Sequence, residues 1–148
     1  MSSENRIGAK LRRLHLLIKQ DFNHSLSALG LTSSQSQILN FILQKYPSSI
    51  FPKDIEKEFH LTHPTVLGIL QRLKVKEYIR IEPDKSDRRC RNIIPTEKSY
   101  EIRREMIERI DTIEKTMENG MSAQEIETLL RLLNKAADNL TNLRTREE

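Results

Sequence analysis

The chain has 148 residues, 36% of them apolar and 31% charged, with no Trp and a formal net charge of +4 from 25 Lys and Arg against 21 Asp and Glu. That length and balance fit one soluble, helix-rich domain with a real core and exclude a disordered chain. No apolar run approaches the ~20 residues that span a bilayer, one cysteine cannot build a disulfide framework, and Met1-Ser2-Ser3-Glu4 opens no apolar signal segment; a cytoplasmic protein with no membrane partner is expected.

Ile7, Leu11, Leu14, Ile18 and Phe22 recur at helical spacing and predict a long first helix ending near Gly30, with an apolar stripe that needs a partner. Thr32-Ser33-Ser34-Gln35 has the form of a capping box and opens a second helix carrying Ile38, Leu39, Ile42 and Leu43, which stops before Pro47. Ser48 to Phe51 reads as extended. Pro52 suits the first position of a third helix carrying Ile55, Glu58 and Phe59, and a turn follows at Phe59 to Leu61.

Thr62 is placed as the N-cap of a fourth helix, because Pro64 in its first turn lacks only an amide that would be unpaired there. Val66, Ile69, Leu70 and Leu73 fall at i, i+3, i+4 and i+7 and form its buried stripe. The opposite face is Pro64, Leu67, Gly68 and Gln71, with Thr62, His63 and Thr65 at the exposed start and Arg72 on the flank. Gly68 costs ~1 kcal/mol of helix propensity relative to Ala, so either a partner approaches the backbone there or the glycine relieves packing against another helix. Leu67 can pack on a thymine methyl, and Gln71 can reach adenine or a phosphate.

Tyr78 to Pro83 and Asn92 to Pro95 read as two strands joined by the hairpin Asp84-Lys85-Ser86-Asp87-Arg88-Arg89-Cys90-Arg91. Thr62 to Arg91 holds eight basic and four acidic residues, an excess equal to the net charge of the whole chain. A localised excess of this kind marks a phosphate-binding face, although a charge run is also what a plain solvated helix and loop shows. Lys85, Arg88, Arg89 and Arg91 are the cationic hairpin residues. The Asp87 carboxylate is expected to hold the Arg89 guanidinium extended, as suits the narrow, electronegative minor groove.

Helix, strand, Asp-Lys-Ser-Asp-Arg-Arg tip, strand and Pro95-Thr96-Glu97-Lys98 together resemble the winged helix-turn-helix of the MarR family of bacterial transcriptional regulators. The similarity extends to Leu31-Thr32 with Gln35, and to Thr65-Val66 with Arg72-Leu73. The resemblance implies that Thr62 to Arg72 is the major-groove reader, that Arg89 is the minor-groove arginine, and that Asp87 supports it. Two positions depart from the family pattern: Glu77 stands where a glycine usually follows the recognition helix, and Ser99 replaces the glycine after Thr-Glu-Lys.

Beyond Thr96, Ile102, Met106, Ile110, Ile113 and Met117 stripe one helix. Ser122-Ala123-Gln124-Glu125 is a capping box that starts another, whose Leu129, Leu133, Ala136, Leu140 and Leu143 alternate spacings of 4 and 3. The fold class expected is mainly α: a winged helix-turn-helix DNA-binding lobe with a small β-hairpin wing at 31–96, and a helical dimerisation region from 1–30 and 97–148, within a single domain 1–148. The function expected is a homodimeric regulator, most simply a repressor, on a pseudo-palindromic double-stranded DNA operator. A monomer folding the long helices onto itself is the alternative for those helices.

No enzyme is expected: His15, His24, His60 and His63 lack a nucleophile arrangement, and there is no Gly-rich phosphate loop. His60 and His63 have a ligand-like gap but no clustered Cys or Glu, so neither a metal nor a cofactor is expected. Cys90, beside Arg89 and Arg91, sits where cations lower a thiol pKa, and it is either a redox sensor or an inert wing residue. His15 either lines a small-molecule effector pocket, as the resemblance allows, or lies on a helix surface. The rival function is a helical protein-interaction module whose hairpin binds RNA or an acidic surface.

Overall fold

A computed structural model describes residues 5–144. Six helices and one hairpin follow in the order α1 (Ile7–Ala28), α2 (Ser33–Lys45), α3 (Pro52–Phe59), α4 (His63–Val75), β1 (Ile79–Pro83), β2 (Arg91–Pro95), α5 (Glu97–Glu118) and α6 (Ala123–Arg144). The chain divides into two compact units, the first running to Asp111 and the second starting at Thr112, so the division falls within α5.

The helix ends are set by local chemistry. Gln35 N–H donates to Thr32 Oγ1 at 3.2 Å and Thr32 N–H to Gln35 Oε1 at 3.4 Å, the reciprocal capping box expected at the start of α2. Phe51 N–H donates to Asp54 Oδ2 at 2.8 Å, with Pro52 at the first position of α3. The end of α1 turns on Gly30 at φ 69°, where Leu31 N–H returns to the Leu26 carbonyl. The turn between α3 and α4 instead uses His60, left-handed at φ 52°.

The core of the first unit is one cluster in which Ile38, Leu39, Ile42 and Leu43 of α2, Ile55 of α3, Val66, Ile69, Leu70 and Leu73 of α4, and Ile79 and Ile93 of the hairpin are all buried. Leu26 of α1 and Ile102 and Met106 of α5 join it. The four stripe residues of α4 are those its spacing selects. The upstream stripe of α1 is different: Ile7, Leu11 and Leu14 stay exposed.

β1 and β2 pair antiparallel with Ile79 opposite Pro95 and Pro83 opposite Arg91. Ile93 N–H donates to the Ile50 carbonyl at 2.8 Å, and Asn92 Oδ1 accepts from Ile50 N–H at 2.9 Å. The extended piece before α3 is thereby stitched to the base of the hairpin.

Glu77 takes the position of the missing glycine at φ 63°, and the turn forms without one. Tyr78 N–H returns to the Leu73 carbonyl and Glu77 N–H to that of Lys74, a Schellman ending for α4. The Thr96 hydroxyl donates to the Glu77 carbonyl at 2.6 Å, and Lys98 Nζ to the Lys76 carbonyl at 2.9 Å, so side chains just after β2 and in the first turn of α5 hold the strained turn. Ser99 is fully buried, its hydroxyl satisfied by the Thr96 carbonyl at 2.6 Å.

The second unit is built on α6, whose start is the expected box: Ser122 N–H donates to Glu125 Oε2 at 2.7 Å and Glu125 N–H to Ser122 Oγ at 3.3 Å. The Ser122 amide, followed by the Ser122 hydroxyl, which donates to Glu125 Oε2 at 2.9 Å, holds the Glu125 carboxyl below its ordinary pKa. Leu129, Leu130, Leu132, Leu140 and Leu143 are all exposed on it.

Candidate nucleic-acid interface

Burying Val66, Ile69, Leu70 and Leu73 turns the opposite face of α4 outward. His63, Pro64, Thr65, Leu67, Gln71 and Arg72 are exposed, with Leu67 44% exposed despite its apolar side chain. Thr62 occupies the N-cap, yet its hydroxyl pairs with that of Thr65 at 2.8 Å and caps no amide. A methyl group at Gly68 would meet no atom within 4 Å, so packing inside this chain does not explain the glycine.

Lys85, Arg88, Arg89 and Arg91 are exposed along the hairpin, beyond a tip held by two aspartates. Asp84 is buried; its carboxylate accepts from Ser49 Oγ at 2.9 Å, Ser86 N–H at 2.9 Å and Asp87 N–H at 3.3 Å. The Ser49 hydroxyl, followed by the Ser86 amide, holds its carboxyl below the ordinary value. Asp87 accepts from the backbone N–H of Arg89 at 3.0 Å. This corrects the expectation that Asp87 would grip the guanidinium: a carboxylate two residues away meets the amide first, forming an Asx turn that shapes the tip and leaves the arginine head unpaired among the described residues.

Cys90 also departs from expectation. Partial burial, followed by the charge and hydrogen bonding of Asp87 at 3.7 Å from its sulfur, pushes the thiol pKa up, against a smaller opposing effect of Lys53. The neighbouring arginine heads point to solvent, while the acidic tip residues lie close, so the local field is the reverse of the one the sequence suggests.

The basic face is also composed differently. Lys76 Nζ donates to the Gly30 carbonyl and, at 3.0 Å, to Gln35 Oε1, so its charge braces the α1–α2 turn. Arg80 pairs with Glu82 at 3.4 Å. In exchange, Lys53 in the first turn of α3 lies near enough to act on Cys90, placing a further exposed cation beside the wing. Sequence spacing carried no signal for Lys53, nor for the Ser49–Asp84 contact, because each spans more than 30 residues.

His60 takes the left-handed turn position, and His63 Nδ1 meets Glu56 Oε1 across that turn. A sequence model of the MarR family matches residues 29–89, which run from the end of α1 through the hairpin tip.

The segment 29–89 is therefore similar to the MarR family, and the rest of the chain lies outside the match.

The fold of the chain is similar over 91% of its length to that of MepR, a transcription regulator of the Staphylococcus aureus multidrug efflux pump MepA, with 98% of that chain covered, 23% identity and a TM-score of 0.85. A single-residue mutant of MepR bound to an oligodeoxyribonucleotide covers the same shares at 25% identity and a TM-score of 0.79. YusO from Bacillus subtilis matches 89% of this chain and 92% of its own at 20% identity, with a TM-score of 0.80. Six helices and a two-stranded wing, folded as in MepR, are thus the architecture of this chain. No described helix is long and apolar enough to cross a membrane.

Proposed function

We propose that this protein is a sequence-specific double-stranded-DNA-binding repressor. The observation that carries the reading is the pairing, within one compact unit, of an outward α4 face (His63, Pro64, Thr65, Leu67, Gly68, Gln71) with a hairpin exposing Lys85, Arg88, Arg89 and Arg91. α4 lies in the major groove and Arg89 reaches the adjacent minor groove, while Arg72, Lys74 and Lys53 meet phosphates. The oligodeoxyribonucleotide bound by the MepR mutant supports the same chemistry here.

The protein acts as a homodimer through the helical region 1–30 and 97–148. Ile7 in α1 is 71% exposed, and Leu140 in α6 is 65% exposed. Apolar helix faces left bare in each unit favour association with a second copy, and two-fold symmetry makes the operator a pseudo-palindrome. A small-molecule effector enters a cleft of about 200 Å³ lined by Phe22 of α1, Gln37 and Asn40 of α2, and Arg103, Met106 and Ile107 of α5. His15 is on the exposed surface of α1. A ligand that binds better to one separation of the two lobes would shift operator affinity by that difference.

Selection of bound duplexes from a random pool, with wild type and Arg89→Ala side by side at moderate salt, tests the reading. Recovery of an inverted repeat by wild type, weakened in the variant, is expected. No shared sequence in the wild-type pool would overturn it.

A further inference from the structure

Glu56 sits one turn before the end of α3, where its backbone carbonyl accepts from Leu61 N–H at 3.2 Å and its carboxylate meets His63 Nδ1 at the start of α4. The two side chains are unequally exposed, 24% for Glu56 and 59% for His63, so the carboxylate lies behind the ring and the ring lies outside. The carboxylate can only accept. In the neutral ring the proton must then reside on Nδ1, and Nε2 is left as a bare acceptor. The two ring nitrogens diverge, so Nε2 points away from α3. Its neighbours Thr62 and Thr65 pair with each other at 2.8 Å, which uses one of their two hydroxyl hydrogens.

We propose that Glu56 is a specificity-determining positioning residue, acting through His63, which it presents to DNA as a fixed hydrogen-bond acceptor at the leading end of α4. This rests on the DNA-reading function proposed above. An acceptor in the major groove selects a base edge that donates, the N6 amino group of adenine or the N4 amino group of cytosine, and rejects the N7 and O6 acceptors of guanine. Glu56 thereby specifies one base pair in each half-site without touching it, as an outer-shell carboxylate fixes the tautomer of a metal-bound histidine.

The test is selection from a random duplex pool at pH 8.5 with the full-length wild type, Glu56→Gln and His63→Ala. Glutamine keeps the size of Glu56 but can donate as well as accept, so either tautomer becomes available. At one position per half-site, a wild-type preference for adenine or cytosine on the order of tenfold is expected to collapse in His63→Ala and to broaden to include guanine in Glu56→Gln, the other positions unchanged. If both variants return the wild-type motif at every position with uniformly lower recovery, the pair is only a brace between α3 and α4 and the proposal is overturned alone. A wild-type pool without any shared sequence overturns it together with the DNA-reading function.

Discussion

The Ser49 hydroxyl donates to Asp84 Oδ1 at 2.9 Å, tying the segment before α3 to the root of the wing across 35 residues of sequence. Together with the Ile50–Asn92 and Ile50–Ile93 contacts, it sets where the hairpin stands relative to the helix-turn-helix. Because this bond and the Ser86 amide depress the Asp84 carboxyl, their contribution is fully present above the ordinary carboxylate range and is lost as pH falls through the lowered folded value. Amide exchange at Ser86 and Asp87 should therefore stay protected in mild acid and lose protection only in stronger acid. In Ser49→Ala the loss should begin at higher pH; an unchanged profile would separate Ser49 from the effect.

Arg89→Ala should weaken operator binding by ~1–3 kcal/mol at fixed salt. Asp87→Ala should do part of the same damage by releasing the Asx turn at the Arg89 amide. Titration at several salt concentrations checks both, since affinity itself should fall steeply with salt as phosphate contacts release counterions. Wild-type affinity in Arg89→Ala would remove the wing from the interface.

Gly68→Ala should stabilise α4 by about 1 kcal/mol, because the added methyl meets no atom within 4 Å and alanine is the better helix former. The same methyl should reduce operator affinity if a duplex approaches this backbone closely. A melting curve and a binding isotherm on one preparation read the two opposite signs.

Glu77→Gly should raise stability by roughly 0.5–1 kcal/mol, since φ 63° is costly for a residue with a Cβ and free for glycine. The Lys98–Glu77 pair lost with it, 3.8 Å apart and exposed, contributes little. Denaturant unfolding measures the difference, and a destabilised variant would mean that the Glu77 side chain contributes more than its backbone strain costs.

Cys90→Ser and wild type should respond alike to mild peroxide. The raised thiol pKa leaves less thiolate at neutral pH, and the thiolate is the species that oxidises. Operator affinity before and after treatment decides it: a loss confined to wild type would make Cys90 a sensor after all.

Features that depend on a few neighbouring residues were legible in the chain alone. Both capping boxes, Pro52 at the head of α3 and the buried stripe of α4 follow from hydrogen bonds within four residues or from a 3.6-residue period, and the two strands from short apolar runs on either side of a polar, charged tip; the structure reproduces them. Where a charged side chain ends up was not legible. Lys76 turned inward to Gly30, Asp87 met an amide in place of a guanidinium, and Cys90 felt two aspartates more than two arginines.

Sequence by itself determined the order of helices and wing and the face of α4 that must turn outward, because periodicity and capping act over a few residues and each has one satisfactory solution. Tertiary structure alone decided which cations remain free for phosphate, that Ser49 anchors Asp84, and that Glu56 holds His63. Those pairings join separate elements, and a flexible side chain takes whichever partner the packed backbone brings within about 3 Å, the reach of a hydrogen bond.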